Sequence, residues 1–211
     1  MKERAVKRIP VLILSVVMVL AMMTALPGVT QEAYAGDPVT DPATLTYANK
    51  AETGINLLGV TGDKSGPGWN WDSTGKVLTL DNIEIQGREY MPPNGNGVTR
   101  RIECIQLPNN QGEVKVVIKG NCYFHNCSQA IMPGVNGDSG TDLRLMKDSS
   151  GGTLYINDAG SPWFRCQKVT VDGLKMVSET KDGANGIQVD IVNGADVSLT
   201  ALILQKIILN M

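Results

Sequence analysis

From residue 55 onward the chain alternates apolar and polar positions in short runs, each bounded by turn-forming residues. Val77-Leu78-Thr79-Leu80 gives way to Asp81-Asn82 and then to Ile83-Glu84-Ile85. Residues 114–118 are followed by Lys119-Gly120-Asn121 and then Cys122-Tyr123-Phe124. Leu154-Tyr155-Ile156 runs into Asn157-Asp158, and Val169-Thr170-Val171 passes through Asp172-Gly173 to Leu174-Lys175-Met176. Val197-Ser198-Leu199 comes after Asn193-Gly194-Ala195-Asp196. A period of two sends successive side chains to opposite faces, and β-branched residues suit a pleated, half-buried surface. No segment after residue 36 sustains a 3.6-residue period with caps, so the predicted class is all-β.

The runs share one unit: apolar-x-apolar, then one or two of Asn, Asp or Gly, then another apolar pair. Leu80, Ile118 and Ile156 recur at a spacing of 38, and further units lie around Val171 and Leu199. This pattern predicts a solenoid of stacked parallel strands. Asn and Gly supply left-handed corners there, and like residues bury against like from layer to layer. The alternative is a β-sandwich built of hairpins, for which Asn185-Gly186 and Asn193-Gly194 offer two-residue turns.

The N-terminus reads differently. Lys2, Arg4, Lys7 and Arg8 precede an uncharged stretch over residues 9–31, and residues 11–26 are apolar apart from Ser15 and Thr24. Ala33-Tyr34-Ala35 follows. Basic, then apolar, then small-x-small is the order of a secretory signal peptide, with cleavage expected after Ala35. An uncleaved anchor is the alternative, because the apolar run approaches the ~20 residues that span a bilayer. Either way the remainder is expected outside the cytoplasm, secreted or at the cell surface. Residues 36–54, with Asp37-Pro38 and Asp41-Pro42, are expected as a linker, and residues 55–211 as the domain.

Charge narrows the partners. The 211-residue chain has 19 Lys and Arg against 21 Asp and Glu. Without residues 1–35 the balance is 15 basic against 19 acidic, a net of −4. That speaks against nucleic acid, which selects a basic patch. Any membrane contact is expected only through the N-terminal segment.

One stretch carries a family resemblance. Gly66-Pro67-Gly68-Trp69-Asn70-Trp71-Asp72, followed by Lys76-Val77-Leu78-Thr79-Leu80-Asp81-Asn82, resembles a module of large secreted and surface proteins of Gram-positive bacteria. These are carbohydrate-binding-domain-containing or pectin-lyase-like proteins. Residues 116–124 and 168–176 are similar to the family's coil repeats. The resemblance covers about residues 55–200 and implies a short right-handed parallel β-helix with glycan binding. The family usually continues for more coils, whereas here residues 201–211 form an apolar tail. Either that tail caps the last coil or the protein continues beyond it.

Candidate chemistry follows from composition. Trp69, Trp71 and Trp163 could stack on sugar rings; the plainer alternative is that they cover the end of the core. Cys104, Cys122, Cys127 and Cys166 could form two disulfides in an exported protein, or remain buried thiols behaving as small hydrophobes. Cys122, His125 and Cys127 match no common zinc spacing, and in a strand residues 122 and 125 face opposite sides. Residues 136–142 are rich in oxygen ligands but lack the closing Glu of a calcium loop. No cofactor, metal or catalytic group is therefore expected. The function predicted is a non-catalytic extracellular module that binds a polysaccharide or surface glycan, or serves in adhesion. A polysaccharide lyase or glycoside hydrolase using residues such as Asp138, Asp142, Arg100, Arg101 or Arg165 is one alternative, and a structural segment without ligand is another.

Overall fold

The computed structural model describes residues 41–90, 101–134, 140–157, 164–166, 168–178, 188–199 and 207–209. The chain divides into two compact units, Met1–Thr40 and Asp41–Met211, and everything described belongs to the second. The expected signal peptide therefore lies outside the described residues.

The described chain is all-β, as the alternation predicts. A 3-10 turn, Pro42–Thr44, precedes β1 (Asn49–Ala51), β2 (Ile55–Asn56), β3 (Lys64–Gly66) and β4 (Trp69–Asp72). Next come β5 (Val77–Asp81), β6 (Ile83–Gln86), β7 (Arg88–Tyr90) and β8 (Arg101–Leu107). Two long strands, β9 (Gly112–His125) and β11 (Thr141–Ile156), flank β10 (Gln129–Pro133). The rest are β12 (Lys168–Asp172), β13 (Lys175–Ser178), β14 (Gln188–Val192), β15 (Asp196–Leu199) and β16 (Ile207–Leu209). Residues 49–51, inside the expected linker, are thus already a strand. Their partner, β6, lies more than thirty residues further along the chain, so no local signal marks them.

The strands pair in three parallel stacks. The first runs β5, β9, β11, β12, β14, β16, with β4 and β3 added antiparallel at the β5 end. The second runs β1, β6, β9, β11, β13, β15. The third runs β2, β8, β10, with β7 antiparallel beside β8 and a bridge from Ile131 to Phe164. β9 and β11 each serve two stacks by bending midway: residues 112–119 of β9 join the first stack and residues 120–125 the second.

The bends follow from the residues. Asn82, Gly120, Gly151, Gly173 and Asn193-Gly194 all have positive φ, and each sits where the chain passes from the first stack to the second. Left-handed backbone costs Gly nothing and Asn little. These are the corners that the Asn/Gly pattern predicts. Asn193-Gly194 is one of them and not a hairpin turn, since β14 and β15 pair with other strands and not with each other.

Register aligns apolar rows across layers. Leu78, Val116, Leu145, Val171 and Ile191 form one row of the first stack. Ile85, Phe124 and Ile156 form one in the second. Ile55, Ile105 and Ile131 form one in the third. These rows belong to a single buried cluster, with Ile191 partly buried against it. Burying one such side chain contributes about 1.5–3 kcal/mol. The expected 38-residue spacing holds for Leu80 and Ile118, which are register partners. It fails at the next step, because Ile156 pairs with Phe124 in a different stack. The layer-to-layer steps from Leu78 to Val116, Leu145, Val171 and Ile191 shorten along the chain, so no constant period exists.

Candidate functional site

Residues on the non-core face of the second stack also align in a row: Lys50, Glu84, Tyr123, Tyr155 and Val177, of which Tyr123 and Val177 are buried. Alternation sends Cys122 and Phe124 into the core and leaves Tyr123 and His125 on the outer face. Tyr47, from the segment ahead of β1, lies on that face. Its ring stacks on Tyr123 with centroids 5.8 Å apart and an interplanar angle of 21°. Tyr123 stacks in turn on His125, at 4.7 Å and 14°. The Tyr47 hydroxyl donates to the Pro42 carbonyl at 2.9 Å, which pins the 3-10 turn to the ring. Burial, with smaller contributions from Tyr155, Tyr123 and Glu84, pushes the Tyr47 phenol well above its usual range, so it stays neutral.

Glu84 joins the parts. One carboxylate oxygen lies 2.8 Å from Lys50 Nζ and the other 3.2 Å from His125 Nε2. The His125 contact is close but does not have hydrogen-bond geometry. The hydrogen bond to Glu84, then its charge, raises the Lys50 pKa and keeps the amine cationic. Beside this pair lies a shallow, open depression lined by Lys50, Ala51, Glu52, Glu84 and Gln86. Its rim offers an ammonium, two carboxylates and an amide at the edge of a stacked aromatic group. Such a set can grip adjacent hydroxyl groups, because carboxylates accept two hydrogen bonds at once and the ammonium donates.

The tryptophans are placed elsewhere. Trp69 and Trp71 lie on the same face of β4, as strand alternation requires, but that face is the core side. Trp71 is 1% exposed and offers no ring face to a ligand. Its Nε1 has no hydrogen-bond partner among the described residues. Trp69 is half-buried, packs against the core and lies over Gly66. Both cover the end of the core, because β4 pairs antiparallel with β5, so its inward side lies over the first apolar row. Trp163 lies outside the described residues.

All four cysteines are buried free thiols. Among the described residues no group of three or more His, Cys, Asp or Glu could hold a metal ion. None of the described helices is long and apolar enough to cross a membrane. Of the lyase or hydrolase candidates, Arg100 and Asp138 lie outside the described residues. The backbone N–H of Arg165 donates to Ile131 at 3.3 Å, and Asp142 is half-buried in β11, in register with Glu113. Nothing among the described residues joins the two.

The Tyr47–Tyr123–His125–Glu84–Lys50 cluster was not singled out by sequence. Its members come from three separate segments, and only the layer register brings them together. The one readable signal was that Tyr123 and His125 alternate with Cys122 and Phe124, which puts two aromatic rings on an outer face. No family model, no curated protein and no solved structure matches this chain.

Proposed function

We propose that this protein is a non-catalytic extracellular module: a short right-handed parallel β-helix that binds glycan at the Lys50–Glu84 depression. The three parallel stacks around one core support the β-helix reading, since consecutive strands pass from stack to stack and return one layer on. Right-handedness follows from the strong preference for right-handed parallel crossovers. The signal-like N-terminus supports export.

The observation that carries the binding reading is the depression itself: two carboxylates, an ammonium and an amide beside stacked rings, on a face extended by parallel strands. Its two acids against one base favour neutral or amino-sugar polymers over uronate polymers such as pectin or alginate, which like charge repels. A panel of immobilised polysaccharides tests this. Retention on neutral or amino-sugar polymers, with little on uronates, is expected. Retention on none of them, or release of reducing or unsaturated ends from any, contradicts a binding module.

A further inference from the structure

The four thiols are not equivalent. Cys104 sits in β8 with no exposure, and its sulfur lies 3.5 Å from the Ile85 carbonyl and 3.7 Å from that of His125. The same His125 carbonyl accepts from the Gly87 N–H at 3.0 Å, and Gly87 lies directly against Cys127, so both thiols pack around one point. Cys127 is 4% exposed and lies in the turn between β9 and β10, just after Asn126 at φ 50°. That turn is held tightly against β8. The backbone N–H of Ser128 donates to Ile102 at 2.6 Å, and the Ser128 hydroxyl accepts from the Ile102 N–H at 2.9 Å. On the other side Gly87 makes room, for a Cβ there would lie 2.8 Å from Cys127 Cβ and 2.2 Å from the Asn126 carbonyl oxygen. The other two thiols meet backbone carbonyls elsewhere: Cys122 that of Lys119 and Cys166 that of Lys168.

We propose that Cys104 and Cys127 form a redox pair that closes to a single disulfide in an oxidising solution, tying β8 to the turn ahead of β10, while Cys122 and Cys166 remain thiols. The oxidant is a small-molecule disulfide. The Cys127 thiolate attacks one of its sulfurs, giving a mixed disulfide and releasing one small thiol. Cys104 then loses its proton to solvent, and its sulfur attacks that of Cys127, expelling the second small thiol. Two protein thiols and one small disulfide thus become one protein disulfide and two small thiols. Burial, and then the neighbouring Cys127, raise the Cys104 pKa well above its usual value. The closing step needs the Cys104 thiolate, so it speeds up as pH rises.

The pairing depends on neither export nor glycan binding, so its test stands apart from both. The full-length protein is equilibrated with oxidised glutathione, denatured, alkylated and weighed. Two alkylated thiols out of four are expected, with a cross-linked peptide joining Cys104 to the segment that holds Cys127. Trypsin leaves Cys122 and Cys127 in one peptide, since neither Lys nor Arg separates them. A Cys122→Ser variant resolves the two: it should keep the cross-link, and Cys127→Ser should lose it. The oxidised wild-type protein should melt roughly 5–10 °C above its reduced form, and Cys127→Ser should show no such difference. Four alkylated thiols after equilibration, or a cross-link that uses Cys122 or Cys166, overturns the assignment.

Discussion

At the residue scale, two side-chain positions make claims that can be measured. Gly152 lies where β11 shifts register against β9, between Lys147 and Gly152. A Cβ at this position would sit 2.2 Å from the Ile118 carbonyl oxygen, which is backbone and has no room to yield. Gly152→Ala is therefore expected to destabilise by about 1–3 kcal/mol in urea unfolding. Asp172 shows the other kind of control. Burial alone would raise its pKa, but hydrogen bonds from Asn193 and Arg144 outweigh that and hold the carboxyl below its usual value. A depressed folded-state pKa stabilises above the unfolded value of about 3.9, and that stability is lost as pH falls through the folded value. Asp172→Asn should accordingly flatten the loss of stability below about pH 4. An unchanged acid limb in a pH series of melts contradicts this. The Arg144 partner is 33% exposed, so solvent screens the pair and the effect is small.

At the element scale, what counts is the rows. Phe124 is fully buried between Ile85 and Ile156 in the second stack. Phe124→Ala is expected to cost about 3–5 kcal/mol, read from the denaturation midpoint at unchanged slope. The alternation that builds these rows was plain in the sequence, and so were the Asn and Gly corners. What could not be read was continuity. Residues 114–118 and 122–124 look like two strands parted by a turn, yet β9 runs through Gly120 as one bent strand. The strand bends at Gly120, where its register against β11 shifts, and no composition signal distinguishes that from a turn. β1 was equally hidden, because three residues paired to a distant strand carry no periodicity.

At the scale of the whole molecule, layer register decides which surface residues meet. Tyr47, Lys50, Glu84, Tyr123 and His125 become one cluster only because β1, β6 and β9 align in parallel. The tryptophan-rich stretch stands out first in the sequence, since Trp69 and Trp71 lie two positions apart and are aromatic. The structure gives their surface to the core, and gives the outer face to residues scattered over some eighty positions. The all-β class was therefore legible, and the site was not. If the depression is where glycan binds, losing Glu84 removes a charged acceptor and lowers affinity by about ten- to a hundredfold. The most direct measurement is isothermal titration of the polysaccharide retained best, against wild-type protein, Glu84→Gln and Asp172→Asn. The predicted result is a loss of that size for Glu84→Gln alone, with Asp172→Asn, on the first stack, binding as wild type does. Equal affinity in all three proteins would contradict the site.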